Sequence, residues 1–285
     1  NARRMDRLIS MKVCINTSTM RGRGLSLPVL ASLVARAGWQ GIEPWIAELE
    51  AVDKQPGGLE QLAQQLSDLG LEMPSAIGFS QWIVDDPAQR RAGLDDARRC
   101  MRLVRRAGGK RIAAASIGAH TPESRVIPND VIAERFAALA AIGREEGIEP
   151  ELELWGFSTN LKRLDTVKQV YRMAGAAGST MLLDIYHLYK GESDLRGLSD
   201  IRASELGVFH VNDYPEMPAA LIADKDRVYP QSGIAPGGQI IRQLKKSGWN
   251  GFISLELFNP EYDQLPVELV IRTGLEKTRE LLNAK

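Results

Sequence analysis

The chain has 285 residues, 44% of them hydrophobic and 25% charged, and its 36 basic residues balance 36 acidic ones. That balance excludes a global field for nucleic acid or anionic membrane and leaves specificity to a local site. The composition excludes a disordered chain, and two cysteines, Cys14 and Cys100, make neither a disulfide framework nor a metal knuckle, which points to a reducing compartment.

In chain order, residues 1–10 read as an Arg-rich N-terminal extension without the apolar run of a signal peptide, and Asn1-Ala2 can be a vector-derived scar. Residues 11–285 hold the domain. No stretch approaches the ~18 apolar residues of a membrane span, so a cytoplasmic location is expected.

Eight short apolar or β-branched runs are predicted as strands: Lys12 to Asn16, Gly41 to Trp45, Glu72 to Gly78, Arg111 to Ile117, Glu149 to Leu154, Thr180 to Asp184, Gly207 to Asn212 and Gly251 to Leu257. Between them, helical periodicity covers Leu27 to Ala37, Leu59 to Leu69, Asp95 to Ala107, Asp130 to Glu146, Leu164 to Ala177, Ile240 to Lys246 and Pro266 to Asn283. Most of these end at a glycine, such as Gly38, Gly70 or Gly147, where a left-handed helix terminus favours that residue. Eight alternating units favour a single-domain α/β fold, the closed (β/α)8 TIM barrel, over an open doubly wound sheet. In such a barrel the active site is built at the C-terminal ends of the strands.

Four of those ends carry ionisable groups: Glu153, Asp184, His210 and Glu256. Period-two alternation sends Leu152 and Leu154, Phe209 and Val211, and Leu255 and Leu257 toward the helices, which turns Glu153, His210 and Glu256 inward. A strand-end acid taken singly is more often an ion-pair member or a cap. Three carboxylates and an imidazole converging in a barrel mouth call for a cation, because unpaired buried charge is costly. One divalent ion is expected, Mn²⁺, Mg²⁺, Co²⁺ or Zn²⁺, and the ligand types alone do not choose among them. Glu151 shares the face of Glu153, and the sequence offers it no partner.

These residues, in this order, resemble the xylose isomerase-like barrel superfamily, which includes sugar epimerases, keto-inositol isomerases and endonuclease IV. The resemblance covers nearly the whole chain and looks closest to the bacterial inosose (2-keto-myo-inositol) isomerases. It rests on Leu152-Glu153, Asp184-Ile185-Tyr186-His187, Phe209-His210-Val211-Asn212-Asp213, Asp226-Arg227-Val228-Tyr229-Pro230 and Leu255-Glu256-Leu257-Phe258-Asn259-Pro260-Glu261-Tyr262. It implies that Glu153, Asp184, His210 and Glu256 bind the metal, that Glu153 and Glu256 double as acid/base groups on opposite faces of the substrate, and that His187 and Arg227 contact substrate oxygens. One departure is Pro230-Gln231-Ser232-Gly233, where such relatives often carry Pro-Gly-x-Gly.

The chemistry expected is a metal-dependent isomerase or epimerase of a keto-inositol or ketose, acting through a metal-stabilised cis-enediolate. A 3-keto-glycoside lyase or epimerase on the same site is the near alternative. An endonuclease IV-like phosphodiesterase fits less well, since the chain has only three histidines, and a non-catalytic sugar-binding barrel is the bland alternative. The partner expected is a small sugar or inosose, with no nucleic acid and no membrane, and the oligomeric state is left open.

Further candidates surround the quartet. Glu43, at the end of the second strand, can contact substrate, orient a neighbour or form a structural ion pair. Trp155, with Trp45, Phe79, Trp82 and Phe258, can wall a sugar-sized pocket or simply pack in the core. The stretch from Asp213 to Gly238, carrying Asp224, Asp226 and Arg227, shows no helix or strand pattern and reads as a lid or binding loop. His120 reads as a loop histidine. The basic run Arg98, Arg99, Arg102, Arg105 and Arg106 reads as a solvated helix face balanced by Asp95 and Asp96.

Overall fold

A computed structural model describes residues 11–284, so the extension expected over residues 1–10 and the terminal Lys285 lie outside the described residues. The short apolar runs form seven parallel strands: β1 (Lys12–Asn16), β2 (Gly41–Glu43), β3 (Arg111–Ala114), β4 (Glu149–Glu153), β5 (Thr180–Asp184), β6 (Leu206–Val211) and β7 (Phe252–Leu255). They lie in the order β2-β1-β7-β6-β5-β4-β3.

The third of the eight expected strands, Glu72 to Gly78, departs from expectation. It enters as isolated parallel bridges, Gly41 with Glu72 and Trp45 with Ile77. On its other side Ala76 N donates to Arg111 O at 3.1 Å and Ala113 N donates to Ala76 O at 2.9 Å. Pro74 has no N–H to contribute and fixes its own φ, so the ladder is interrupted there. The segment still joins β2 to β3 and closes the TIM barrel.

Helices cover the outside as the periodicity predicts, with differences at their ends. The helix expected from Asp95 begins at Pro87, because the Asp86 side chain accepts from Gln89 N at 2.7 Å and proline suits a first turn. The helix starting at Leu164 stops at Ala174, where Gly175 takes a left-handed conformation. Short helices Ile46–Asp53, Ile185–Lys190 and Pro260–Asp263 follow β2, β5 and β7, and are too brief to show a period. No helix of the described residues is long and apolar enough to cross a membrane.

Two apolar clusters sit on the two faces of the strands. The larger, between sheet and helices, takes Leu152, Leu154, Phe209, Val211, Leu255 and Leu257. The smaller gathers Cys14, Ile77, Ala113, Leu182, Val208 and Phe252. Trp82 belongs to the larger cluster, 1% exposed with Nε1 donating to Ala115 O at 2.8 Å, so it is core and not pocket wall.

Glu151 finds its partners inside the barrel. It accepts from Ser75 Oγ and, at 2.8 Å, from Val208 N. A Cβ at residue 207 would stand 2.0 Å from Glu151 Oε1, so glycine is required there for the carboxylate to fit. Burial pushes the Glu151 carboxyl up to about 7, against the pull of Arg111. The basic run is neutralised mainly by other helices. Arg98, Arg102 and Arg105 converge on Glu146, Arg99 pairs with Asp96 and Glu50, and Arg106 pairs with Asp53 and Glu60. Among the described residues Asp96, not Asp95, is the ion-pair partner on the same helix.

Candidate active site

Residues two apart on a strand share a face. Leu182 and Val208, packed in the smaller apolar cluster, therefore place Asp184 and His210 on the same face nearer the C-terminal mouth, and Phe252 does the same for Ser254 and Glu256. Asp184 stands opposite His210 in the β5–β6 register, and His210 opposite Ser254 in the β6–β7 register. Asp184, His210 and Glu256, all buried, each offer one ligand atom, and these atoms lie within 4.8 Å of one another. Glu153 is buried with Oε2 lacking any hydrogen-bond partner, and the carboxylates of Glu256 and Asp184 act on it electrostatically. Two carboxylates and an imidazole so placed suit a divalent cation, so Asp184, His210 and Glu256 fit the expected ion, whereas Glu153, the fourth ligand expected, stands outside that 4.8 Å group with one oxygen buried and unpartnered.

Asp184 is held from several sides. Oδ1 accepts from His187 N at 3.0 Å, capping the helix that follows, and Asn212 Nδ2 donates to Oδ1 and Oδ2 at 3.2 and 3.1 Å. Arg227 Nη1 donates to Asp184 Oδ2 at 3.0 Å and to Glu256 Oε2 at 2.8 Å. Its other donors go to Asp224, and Nη2 lies 3.1 Å from His187 Nε2. The guanidinium is 1% exposed and lies 4.2 Å from the Tyr186 ring centre and 4.9 Å from that of Phe258. Arg227 thus meets the carboxylates of the site as well as facing His187.

Glu43 is fully buried against His210. Its Oε2 accepts from Asn16 Nδ2 at 2.9 Å and from Ser254 Oγ at 2.8 Å, and lies 2.9 Å from His210 Nε2, an ion-pair distance rather than an aligned hydrogen bond. The other ring nitrogen, Nδ1, lies 3.3 Å from Glu256 Oε2 and 3.7 Å from Asp184 Oδ2. Of the readings open for Glu43, the geometry favours the one in which it orients His210.

Charge sets the protonation pattern of these side chains. Burial pushes the Glu153 carboxyl up to about 8, reinforced by Glu256. Burial also acts to raise Glu256, but His210 and Arg227 overcome it and bring that carboxyl down to about 2. His210 is depressed by burial and raised more strongly by Glu43 and Glu256, so it ends well above the ordinary imidazole value. His187 falls to about 3, through burial first and then the Arg227 charge.

Aromatic rings line both sides of this centre. Trp155 packs 4.7 Å from His120 and 4.6 Å from Phe157, and Phe157 meets His187 edge-on at 5.4 Å. Trp45 packs 5.1 Å from Phe79 and 6.2 Å from Phe258. The stretch from Asp213 to Gly238, expected to lack secondary structure, is strapped down. Asp213 and Val228 exchange backbone hydrogen bonds at 2.8 Å, residues Asp224–Asp226 form a 3-10 turn, and a helix begins at Gly237. Within it Gln231 keeps a left-handed φ of 65° although it is not glycine.

Several contributors escape the sequence reading. Asn16, Asn212 and Ser254 hold carboxylates of the site, and Arg21 stacks over Trp45. Their one advance signal is position, since Asn16, Asn212 and Ser254 are polar residues with the period-two spacing of an inward face.

A family model described as Xylose isomerase-like TIM barrel matches residues 31–281. An inosose isomerase of Halalkalibacterium halodurans is 30% identical over 148 residues, 51% of this chain and 52% of that one, so the match spans about half the length of that relative. An inosose isomerase of Bacillus velezensis is 24% identical over 96% of this chain and 98% of its own. The crystal structure of IOLI protein with a bound zinc atom superposes with a TM-score of 0.87 at 21% identity, covering 96% of this chain and 98% of that one.

Proposed function

The chain belongs to the xylose isomerase-like TIM barrel family, and from that premise we propose that it is a metal-dependent isomerase or epimerase of a keto-inositol or ketose. The observation that carries the reading is the convergence of Asp184, His210 and Glu256 at the barrel mouth, with the buried, unpartnered Glu153 carboxylate within their electrostatic reach. A divalent ion held by Glu153, Asp184, His210 and Glu256 supplies Lewis acidity that stabilises negative charge on a ketone oxygen. The inosose isomerase relatives support the substrate class, and the zinc in the IOLI structure supports a metal of this kind.

The residues divide the remaining work. Glu153 takes the proton from the carbon beside the carbonyl, and Glu256 serves the opposite face. Arg227 fixes the orientation of Asp184 and Glu256 by donating to both. His187 donates from Nδ1 to a substrate oxygen, while Trp155 and Phe157 cover one side of the substrate and exclude water. Glu43 acts through His210 as a positioning residue and touches no substrate. Reprotonation from the face that Glu256 serves inverts a centre, whereas return of the proton to the adjacent carbon, with the hydroxyl proton passing from one oxygen to the other, moves the carbonyl.

The phosphodiesterase alternative asks for a histidine-rich cluster. Of the three histidines, His210 alone joins the group able to hold a cation, and His120 packs at a tilt against Trp155. The test is proton NMR in D₂O with metal-supplemented protein and a panel of inososes, ketohexoses and 3-keto-glucosides. Deuterium entry beside the carbonyl with an epimer or shifted ketone supports the proposal. An eliminated product assigns the lyase chemistry, and no exchange with any of them removes these neutral ketones as substrates.

A further inference from the structure

Arg21 follows the 3-10 turn Thr17–Met20 at the C-terminal end of β1, on the face of the barrel that carries the site. Its guanidinium carbon lies 3.5 Å from the Trp45 ring centre and 5.6 Å from that of Phe258. The guanidinium of Arg227 lies 4.9 Å from the same Phe258 ring. Two arginines therefore share one aromatic ring at the mouth.

They differ in counter-charge. Arg227 is paired with Asp184, Asp224 and Glu256. Among the described residues no carboxylate lies within ion-pair distance of Arg21. Of the two acids whose fields reach it, Glu48 is, among the described residues, hydrogen-bonded only by neutral donors and Glu256 is paired with Arg227. Glu48 accepts from Thr17 Oγ1 and from Trp45 N, and Glu256 accepts from Arg227.

The perch beneath Arg21 is fixed. Trp45 Nε1 donates to Asn16 Oδ1 at 3.0 Å, and Asn16 Nδ2 donates in turn to Glu43, the carboxylate beside His210. A guanidinium stacked flat on an indole keeps its N–H edge free, and its planar fork matches a carboxylate or phosphate through two parallel hydrogen bonds. A neutral hydroxyl calls for neither the fork nor the charge.

We propose that Arg21 is a specificity-determining residue that receives an anionic substituent, carboxylate or phosphate, on the part of the substrate remote from the reacting ketone. This rests on the keto-sugar isomerase reading and narrows its substrate class to anionic polyhydroxylated ketones.

The test is calorimetric affinity of the metal-supplemented protein for D-fructose, D-fructose 6-phosphate and 5-keto-D-gluconate, repeated with Arg21→Met and Arg21→Lys. At least one anionic ketone is expected to bind about 10- to 100-fold tighter than D-fructose, a span typical of a charged hydrogen bond. Which of the two binds tighter separates phosphate from carboxylate. That preference falls to about one in Arg21→Met, and Arg21→Lys, which keeps the charge and loses the fork, lies between. Equal affinity for all three in the wild type, no binding of either anionic ketone, or a preference that survives in Arg21→Met overturns the proposal. Deuterium exchange on the same ketones judges the isomerase reading separately. Anion preference without exchange keeps the role of Arg21 and sinks that reading, and exchange without anion preference does the reverse.

Discussion

Nε2 of His187 lies 3.1 Å from Nη2 of Arg227, and this contact sets the histidine's tautomer. A guanidinium donates and never accepts, so Nε2 is the acceptor and Nδ1 carries the hydrogen. That Nδ1 is buried without a partner. A neutral donor with nothing to meet in the protein is what a substrate oxygen requires. His187→Phe is expected to lower kcat/KM by about 10- to 100-fold, as the loss of a buried hydrogen bond implies, with metal content unchanged by elemental analysis. An equal loss of metal would show that the histidine serves the ion instead.

His187 also makes a stability prediction. Its native value is about 3, below the ordinary 6.5 of the unfolded chain, so only the unfolded form gains a proton as pH falls between them. Its contribution is present above pH 6.5 and is lost as pH drops toward 3. Denaturant titration across that window is expected to show a smaller acid loss in His187→Phe than in the wild type.

Glu153 gives the opposite slope. Its native value of about 8 exceeds the unfolded value of 4.5, so its contribution is full below pH 4.5 and is lost as pH rises through 8. Chelator-treated wild type is therefore expected to melt at a lower temperature at pH 9 than at pH 6. Glu153→Gln, which cannot ionise, loses less over the same range. The same substitution abolishes deuterium exchange into the ketone. A metal-free melting temperature that stays flat for both proteins refutes the buried, protonated Glu153.

How much of this was legible beforehand depends on whether a single strand carried the signal. Glu153, His210 and Glu256 were readable because leucine, phenylalanine and valine alternate with them, and the structure puts those apolar residues in the cluster under the helices. The third expected strand forms only as bridges because Pro74 interrupts its ladder, although the segment still pairs with both neighbours. Asn16 with Glu43, and Arg98 with Glu146, are partners far apart in sequence, and neither pair lies at a helical or strand spacing. Arg21 sits beyond an irregular turn, where no periodicity points anywhere.

Metal binding is expected to release protons. Glu43 and Glu256 hold His210 protonated in the metal-free site against the effect of burial, and Glu153 also carries a proton below about pH 8. Both must lose them to act as ligands. Apparent affinity for Zn²⁺ or Mn²⁺ should rise by up to about two decades per pH unit between pH 6 and 7, one per proton released. Calorimetry in buffers of different ionisation enthalpy counts the protons directly, and Glu153→Gln is expected to release about one fewer. Glu43→Gln should weaken metal binding by about 10- to 100-fold, the usual effect of losing a residue that orients a ligand.

The strap carrying Arg227 supplies the last contrast. A Cβ at residue 233 would lie 2.1 Å from Tyr214 O and 2.6 Å from Asp213 Oδ1, and Asp213 anchors the strap through its backbone exchange with Val228. Gly233→Ala must therefore displace the backbone that presents Arg227, and is expected to raise KM and lower the melting temperature together. Gln231 is the other unusual residue of the strap, with its φ of 65°. A left-handed non-glycine costs about 1 kcal/mol or more, while a glycine there adds about 0.4–1 kcal/mol of unfolded-state entropy. These nearly cancel, so Gln231→Gly should move the melting temperature by no more than about 2 °C. KM should stay near that of the wild type, because the strap already holds the backbone that glycine would allow. If Gln231→Gly instead shifts KM as far as Gly233→Ala does, the side chain of Gln231 and not the backbone sets the position of Arg227.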